Sequence, residues 1–331
     1  MSEPRGQPPI LRRRKNHVPD DIVLNNILTR VPVKSLMRFR IYETGIPSDF
    51  GLVKIVGSCN GLLCLTGFNP SNDKYSCPHP SIDIYLWNLS IRKFKKLPDT
   101  CLGQLRCVKL GFAYHSENND YKVVRISLSP LSGHEIEVYT LSSDSWRRYE
   151  ILLPTNVLIL DISFYYPLVS GDLHWMAYIN GENRRTETIM AFDVNSEKFR
   201  KLELPDNSMI SNDRCLALFK GKLAYIECGR IQPCGFIQYS IWVMREYGVV
   251  ESWHKIFVVP FLQVTSCIAF TEYGSLLVWC IDHQVKNKEF KFLLIDTENL
   301  HEKELDIQFP SIVTNFMDSL VLLDGANMVS Y

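Results

Sequence analysis

The residues best suited to metal chemistry in this sequence are Cys59, Cys64, Cys77 and His79, which lie close together in the first quarter of the chain. Thiolate and imidazole groups are the usual ligands of structural zinc. Zinc sites usually combine two ligand pairs with two to four residues between the members of each pair, and this set does not match, because only one residue separates Cys77 from His79. Cys59 and Cys64 also lie in a stretch typical of a strand and a turn. We therefore predict no metal site and no cofactor.

Motifs for catalysis are equally sparse. The sequence contains no Gly-x-Ser-x-Gly elbow, no His-Glu-x-x-His pair, no phosphate-binding loop and no dinucleotide fingerprint. His174 stands beside Trp175 in an apolar run, which favours a core or edge histidine over a ligand. The sequence therefore indicates a protein without catalytic residues of its own.

Composition narrows the possible partners. Among the 331 residues, Lys plus Arg and Asp plus Glu both number 36, so no overall field attracts nucleic acid or an anionic membrane. No apolar stretch is long enough to span a bilayer, and Met1–Lys15 is Pro- and Arg-rich, unlike a secretory leader. We expect a cytoplasmic or nuclear protein with reduced cysteines.

A pattern of punctuation residues recurs along the chain at intervals of about fifty to sixty residues. Each unit has a glycine in front of an apolar run, at Gly61, Gly111, Gly171, Gly221 and Gly274. A later run ends at a turn, at Asn88, Thr140, Asp193, Met244 and Asp296. A proline closes each unit, at Pro98, Pro154, Pro205, Pro260 and Pro310. The shared period indicates repeated copies of one structural unit.

The unit Gly171–Pro205 shows what each copy contains. Leu173–Tyr178, Thr188–Asp193 and Phe199–Leu204 are apolar or alternating runs separated by turn residues, which predicts three strands. A unit of about fifty residues cannot bury both faces of its sheet alone, so the copies must stack. We predict a mainly β fold, a β-propeller-like domain of five to six four-stranded sheets over 49–331. A β-sandwich is the alternative, although it would not need five equivalent marks.

The two ends of the chain differ from this repeat. At the carboxyl end, Asn315–Leu323 is predicted to add a last strand that closes the ring against the first sheet. At the amino end, residues 1–16 form a predicted disordered basic arm, 17–40 a pair of short helices separated by Pro32, and 41–48 a linker. In the first helix Val23 and Ile27, like Leu24 and Leu28, are four residues apart and share a face.

Several phrases occur in the order found in one known family. They are Val56–Cys64, Leu86–Lys93, Asn119–Val124, Val138–Arg147, Gly171–Trp175 and Ile241–Trp253. With them, the chain resembles the F-box-associated domain of plant F-box proteins, and the amino-terminal helices resemble the F-box. This resemblance covers nearly the whole chain. It implies a non-enzymatic substrate-receptor subunit of a ubiquitin ligase that contains a Skp-type adaptor and a cullin.

The resemblance also assigns apolar residues to the adaptor contact. The implied set is Pro19, Ile22, Val23, Ile27, Leu28, Pro32, Val33 and Leu36. Two departures from the family pattern affect it. Asn25-Asn26 resembles an insertion that would rotate the following residues by about 100° around the helix. The expected third helix after Phe39-Arg40 is missing. An alternative function is therefore a β scaffold uncoupled from ubiquitination.

Three loops that break the period are the candidate target-binding segments: Gly67–Ile82, Ile179–Thr188 and Ile231–Gln238. They contain residue types favoured at interface hot spots, namely Tyr75, Arg184, Arg185 and Phe236. The alternative for each loop is a tolerated surface insertion. A further alternative for the whole chain is a propeller hydrolase or oxidase. That function would require carboxylates or metal ligands to converge at a channel mouth.

Overall fold

The structure is a computed structural model. It describes residues 52–68, 82–100, 108–129, 133–149, 153–154, 156–159, 167–182, 184–205, 214–230, 237–261, 264–271, 273–282, 289–305, 319, 321, 323 and 328–330. The chain divides into two units, Met1–Gly45 and Ile46–Tyr331, and every described residue lies in the second. The predicted arm, F-box and linker lie outside the described residues. Their boundaries therefore stay predictions.

The described residues form five antiparallel sheets that follow one another along the chain. The first contains β1 (Leu52–Cys59), β2 (Leu62–Phe68), β3 (Ile82–Asn88) and β4 (Lys93–Lys96). The second contains β5 (Lys109–His115), β6 (Asp120–Ser129), β7 (Gly133–Thr140) and β8 (Ser145–Tyr149). The third contains β9 (Val157–Ile159), β10 (Leu168–Val169), β11 (Asp172–Asn180), β12 (Arg185–Asp193) and β13 (Lys198–Leu202).

The last two sheets repeat the same meander. The fourth contains β14 (Arg214–Phe219), β15 (Lys222–Arg230), β16 (Ile237–Met244) and β17 (Trp253–Phe261). The fifth contains β18 (Val264–Phe270), β19 (Leu276–Asp282), β20 (Glu289–Ile295) and β21 (Glu302–Leu305). A final strand, β22 (Met328–Ser330), pairs with β4. The fold is a five-bladed β-propeller, which confirms the predicted class. In the part of the chain that the structure describes, no helix could cross a membrane.

Tight turns between the first and second strands fix the direction of several blades. Asn60-Gly61, Ser170-Gly171 and Lys220-Gly221 all have positive φ at both residues. That backbone is the one required by type I′ hairpin turns, where glycine avoids the steric penalty of a Cβ atom. The recurring glycine of the sequence therefore marks these turns.

Two of the sequence marks occupy other positions. Gly111 lies inside β5 and does not precede a second strand. Glycine is required at this position because a Cβ atom there would lie 2.6 Å from Cζ2 of Trp175. The glycine lets the third blade pack closely on the second. Pro260 lies inside β17 and does not follow it. Because β17 is the outer strand of its blade, proline can be accommodated there.

A carboxyl-terminal strand, Met328–Ser330, pairs with β4 of the first blade. Most of the predicted closing segment, Asn315–Leu323, lies outside the described residues. Within the latter segment, the described residues Ser319 and Val321 contact Asn88 at the end of β3. The side-chain amide of Asn88 donates to the carbonyl oxygens of Ser319 (3.0 Å) and Val321 (2.9 Å). These two hydrogen bonds join the carboxyl-terminal segment to the first blade.

Neighbouring blades are also joined by polar contacts from the turn between their third and fourth strands. In the second blade, Asp144 accepts from the fully buried Lys95 of the first blade at 2.9 Å. In the third, Glu197 accepts from Lys122 of the second at 2.8 Å. In the fifth, Glu298 pairs with Lys220 of the fourth at 3.7 Å. Each of these turns therefore contacts the preceding blade.

The outer strands add a second repeated contact. The indole Nε1 of Trp146 in β8 donates to the carbonyl oxygen of Pro98 at 2.8 Å. Two blades later, Nε1 of Trp253 in β17 donates to the carbonyl oxygen of Glu203 at 3.0 Å. Both acceptors follow the outer strand of the preceding blade. Each tryptophan therefore combines apolar packing with a fixed hydrogen bond between sheets.

Between the third and fourth blades, the contact made by the turn between the third and fourth strands is a buried network around His174. Its Nδ1 lies 3.0 Å from the carbonyl oxygen of Pro167, and its Nε2 lies 2.6 Å from the hydroxyl of Tyr247. The same hydroxyl oxygen lies 2.7 Å from the Asp172 carboxylate, and Arg200 Nε donates to that carboxylate at 2.8 Å. His174 is fully buried, as predicted for a core histidine. Burial lowers its pKa to about 4, opposed by the Pro167 carbonyl and Asp172.

Asn88→Ala tests the closure. Besides bonding Ser319 and Val321, the buried side chain accepts from the backbone N–H groups of Ser90 and Ile91. Losing all four bonds should lower the free energy of unfolding by about 3 kcal/mol. Denaturant titration of the full chain measures this change.

Asp193→Ala is the matched control for Asn88. Asp193 accepts the same two kinds of turn hydrogen bond, from the backbone N–H groups of Asn195 and Ser196, and is only partly buried. Asp193 does not hold the carboxyl-terminal segment, so Asp193→Ala should lower the free energy of unfolding by only about 1 kcal/mol. Equal losses in the two variants would mean that the Asn88 contacts to Ser319 and Val321 do not stabilise the fold.

Acid should destabilise the fold through His174. Because the folded state favours the neutral ring, the unfolded chain binds a proton near the ordinary pKa of 6.5, before the folded chain does. The contribution of neutral His174 to the free energy of unfolding is intact above about pH 6.5. It decreases by up to about 3 kcal/mol as the pH falls towards about 4. Denaturant titrations across this range measure it.

His174→Gln removes the titrating group while keeping an amide that can donate and accept. The variant should show a shallower loss of stability with acid. A remaining slope is expected from groups such as His134, whose pKa is also lowered by burial. An acid limb as steep as that of the wild type would assign the effect to groups other than His174.

Candidate functional site

The strand order separates two ends of the propeller. Because every blade is an antiparallel meander, the first-to-second and third-to-fourth connections lie at one end, here called the short-turn face. The second-to-third connections and those between blades lie at the other end, the loop-bearing face. All three loops selected from the sequence are second-to-third connections, in the first, third and fourth blades. The topology therefore assigns them to one face.

Of these three loops, only Ile179–Thr188 lies within the described residues, apart from residue 183. Tyr75 and Phe236 lie outside them, as do all the residues assigned to the adaptor contact. Nothing in the structure tests these assignments. Arg184 and Arg185, in contrast, are described, and the account of the site begins with them.

The connection between β11 and β12 is shorter than the predicted Ile179–Thr188. Its residues are 181–184, and the N–H of Gly181 donates to the carbonyl oxygen of Arg184 at 2.9 Å. The flanking residues extend the hairpin, although they are polar. Thr188, for example, is fully buried because its hydroxyl donates to the carbonyl oxygen of Leu202 at 2.8 Å. A hydrogen bond between a buried threonine and the backbone of a neighbouring strand cannot be recognised from the residue types of a loop.

The two predicted arginines differ in their surroundings. Both are exposed. Arg185 Nε donates to the side-chain oxygen of Asn180 at 3.0 Å, and its guanidinium lies 4.8 Å from the ring centroid of Tyr178. Arg184 makes no side-chain hydrogen bond or ion pair with any residue that the structure describes. The Arg185 side chain is therefore held in place before any partner binds, whereas no described residue holds the side chain of Arg184.

Tyr178 contacts a second guanidinium from the next blade. Arg214, at the start of β14, lies 5.2 Å from the same ring centroid and donates to the Tyr178 hydroxyl. It also pairs with Glu187 of β12 at 2.6 Å, and its side chain is only 4% exposed. Burial raises the pKa of Glu187, opposed by the Arg214 charge and by the Tyr178 hydroxyl. This ion pair fixes the third blade against the fourth beneath the exposed arginine.

The line of alternating charged and aromatic groups continues across the fourth blade. Arg214 is the cross-strand neighbour of Glu227 in β15. The Glu227 carboxylate accepts from Nε1 of Trp242 in β16 at 3.0 Å. Nζ of Lys255 in β17 then lies 4.5 Å from the Trp242 ring centroid. We call Arg185, Tyr178, Arg214, Glu227, Trp242 and Lys255 the cation–aromatic strip.

A buried hydroxyl lies beside the strip. Tyr225 of β15 is fully buried, and its hydroxyl has no hydrogen-bond partner among the residues that the structure describes. Burial raises its pKa, and the carboxylates of Glu227 and Glu187 raise it further. The hydroxyl therefore stays protonated between two acidic groups from neighbouring blades.

The sequence identified one end of this strip and missed the rest. Arg185 was selected because it stands in a polar, charged segment. Tyr178, Arg214 and Lys255 were not selected, and Trp242 was interpreted as packing between sheets. These residues come from four strands in two blades, and only the strand register brings them together. Their residue types, Arg, Tyr and Trp, were the only available signal.

The cysteines considered for zinc are placed on neighbouring strands. Cys59 lies in β1 and Cys64 in β2, while Cys77 and His79 lie outside the described residues. Burial raises the pKa of both thiols, and for Cys59 the neighbouring Cys64 raises it further, so they remain protonated. Across the described ranges, no group of three or more His, Cys, Asp or Glu side chains is placed to hold a metal ion.

Comparison with known proteins gives a consistent result. An F-box/kelch-repeat protein of Arabidopsis thaliana is 28% identical over 212 residues, covering 62% of this chain and 53% of that protein. The F-box protein CPR1 of the same plant is 25% identical over 293 residues, covering 80% of this chain and 63% of CPR1. The chain thus spans about half to two thirds of the length of these curated relatives.

Similarity to solved structures is low. The β-propeller domain of the Trilobed protease from Pyrococcus furiosus is 15% identical, with a TM-score of 0.43, covering 76% of this chain and 70% of that one. That likeness is too low to bear on function.

The family comparison covers most of the chain. The model of the F-box associated beta propeller domain matches residues 32–318, which include all five blades. The six phrases that suggested the F-box-associated domain in the sequence all lie within that range. The chain belongs to the family of F-box-associated β-propeller domains.

Proposed function

We propose that this chain is the substrate-receptor subunit of a Skp–cullin–F-box ubiquitin ligase. The observation that supports this proposal is the family match over residues 32–318, together with relatives that are themselves F-box proteins. In this role the propeller binds a target protein, and residues 17–40 bind the Skp-type adaptor. The cytoplasm and the nucleus are the compartments in which we propose that it acts.

The loop-bearing face is the proposed target-binding surface. It contains the exposed Arg184 and Arg185 with the half-buried Tyr178 beneath Arg185, and Arg and Tyr are residue types that dominate the energy of many protein interfaces. The short-turn face is less suited to this role, since its charged turn residues are used in contacts between blades.

The receptor needs no chemistry of its own in this proposal. Holding a target lysine close to an activated ubiquitin raises the effective concentration of the two reactants, and the transfer itself belongs to other subunits. The alternative of a propeller hydrolase or oxidase gains no support from the site described above, whose carboxylates Glu187 and Glu227 are paired with Arg214 and with the Trp242 indole.

A second candidate function is a protein-binding scaffold that does not reach the ligase. It is favoured by the sequence after Phe39-Arg40, which continues directly into Ile41–Pro47 without the third helix of the F-box pattern. A shortened helical module buries less surface, so its contact with the adaptor should be weaker than that of a complete F-box.

Co-purification of the full chain with a Skp-type adaptor separates these two functions. We expect the adaptor to be retained by the wild-type chain. Ile27→Asp with Leu28→Asp should abolish retention, because each change places a charge in an apolar contact. A chimera in which a complete F-box replaces residues 17–40 is the positive control and should retain more adaptor.

The outcomes of this experiment are distinct. Retention that the double variant abolishes supports the receptor. Adaptor binding by the chimera alone would contradict the receptor function and favour the scaffold. Equal retention by the wild type and the double variant would show that the assigned apolar residues do not form the contact.

A further inference from the structure

We propose that two copies of this chain associate through the short-turn face of their fourth and fifth blades. This contact lies at the end of the propeller opposite the loops that are proposed to bind the target. It therefore goes beyond the proposed function and does not depend on it.

Exposed apolar side chains occur together on this part of the molecule. Among the residues that the structure describes, the large apolar side chains that are exposed are Leu218 (43%), Tyr273 (65%) and Leu300 (44%). Leu218 is next to last in β14, Tyr273 lies between β18 and β19, and Leu300 lies between β20 and β21. All three positions are at the short-turn end of the fourth or the fifth blade. Exposed apolar residues that occur together, unlike single ones, indicate a contact surface.

Close contacts join the turns that carry these side chains. A Cβ atom on Gly274, the neighbour of Tyr273, would lie 3.1 Å from Cε2 of Phe219 in the fourth blade. The half-buried Phe219 ring therefore adds apolar area beside Tyr273. The hydroxyl of Thr297, in the turn that contains Leu300, donates to the carbonyl oxygen of Gly274 at 3.0 Å. These turns therefore lie side by side and present one surface.

Leu300 occupies a position where a leucine does not help the blade to fold. Its φ is 58°, in the left-handed region that a bulky side chain disfavours. Residues of positive φ lie near the end of the same turn in the first three blades, and they are the charged Arg92, Asp144 and Glu197. Asp144 and Glu197 use their charge to hold the preceding blade. Leu300 has no charge for such a contact and is exposed, so a second copy that covers it would give its side chain a role.

Charges on two sides of the apolar residues favour a second copy as the partner. The first-to-second turn of the fourth blade carries the exposed cations Lys220 and Lys222. The third-to-fourth turn of the fifth blade carries the half-buried Asp296 and the exposed Glu298. A two-fold axis through the apolar residues would bring the cationic turn of each copy onto the acidic turn of the other. Within one copy, Lys220 and Glu298 are exposed and 3.7 Å apart, so both charges remain accessible.

The remaining charge agrees with self-association. The connection between β16 and β17 adds exposed charges of both signs, Arg245, Glu246 and Glu251, and so does not change the sign of either turn. The formal net charge of the chain is zero, so two copies do not repel each other. An unrelated partner would not require turns of opposite sign on this face, and a second copy does.

Sedimentation velocity of the full-length chain measures this association. We expect a reversible equilibrium between monomer and dimer within about 1–100 μM, as for an interface of modest size. Tyr273→Ser combined with Leu300→Asn should weaken dimerisation by about tenfold or more, because the apolar centre of the contact is lost.

A denaturant titration separates loss of the contact from loss of the fold. At about 0.1 μM the wild type and the variant should both be monomers, so dimerisation does not contribute to stability. Asparagine tolerates the left-handed backbone better than leucine does, so Leu300→Asn should unfold at the same or a higher denaturant concentration. Unfolding at a lower concentration would mean that Leu300 stabilises the blade, which would contradict its assignment to the contact.

The matched control removes two exposed side chains from a short turn of the second blade, which adjoins neither the fourth nor the fifth. Ser116 and Asn118 lie between β5 and β6 and are exposed. Ser116→Ala with Asn118→Ala should leave the dissociation constant of the dimer within about twofold of the wild-type value.

Three results would overturn the inference. The first is a wild-type chain that stays monomeric across the whole concentration range, which would assign the apolar residues to a different partner. The second is an unchanged dissociation constant in the Tyr273/Leu300 variant, and the third is equal weakening in that variant and in the Ser116/Asn118 control. Adaptor retention is measured separately, so a monomeric chain that retains the adaptor would refute the dimer and leave the receptor function intact.

Discussion

Burial of both faces of each sheet is the constraint on which this structure depends. In β6, Val123 and Val124 are adjacent and therefore point to opposite faces, and both are fully buried. In β11, Leu173, His174 and Trp175 are likewise fully buried in succession. A sheet with two apolar faces needs a neighbour on each side. A closed ring of equivalent sheets supplies those neighbours to every blade.

Polar contacts then determine how the blades are aligned. Apolar packing is not directional, so it does not by itself fix how far one sheet slides over the next. The buried pair of Lys95 with Asp144 and the hydrogen bonds of Trp146 and Trp253 supply fixed distances between blades. A buried charge without its partner is costly, and a shift in register would therefore be penalised at these points.

The extent to which the sequence predicted the structure follows from the range of each signal. Strands and turns are local, so Gly171, Asp193 and Pro205 marked one blade correctly and the repeat indicated the ring. Gly111 was misassigned because its role is set by Trp175, about sixty residues away. The contact of Asn88 with Ser319 was not predicted, because these residues meet only in the folded ring. The strip was found only at Arg185, since strand register joins its members.

The division of labour between the two faces explains where recognition can occur. At the short-turn face, the charged residues of the turns are used to hold neighbouring blades, as Glu197 holds Lys122. Changing such residues for the sake of a ligand would weaken the ring. At the loop-bearing face, Arg214 and Glu187 hold the blades from a buried position, which leaves Arg185 exposed above them. Exposed residues there can vary without cost to the fold, so binding specificity can be altered independently of stability.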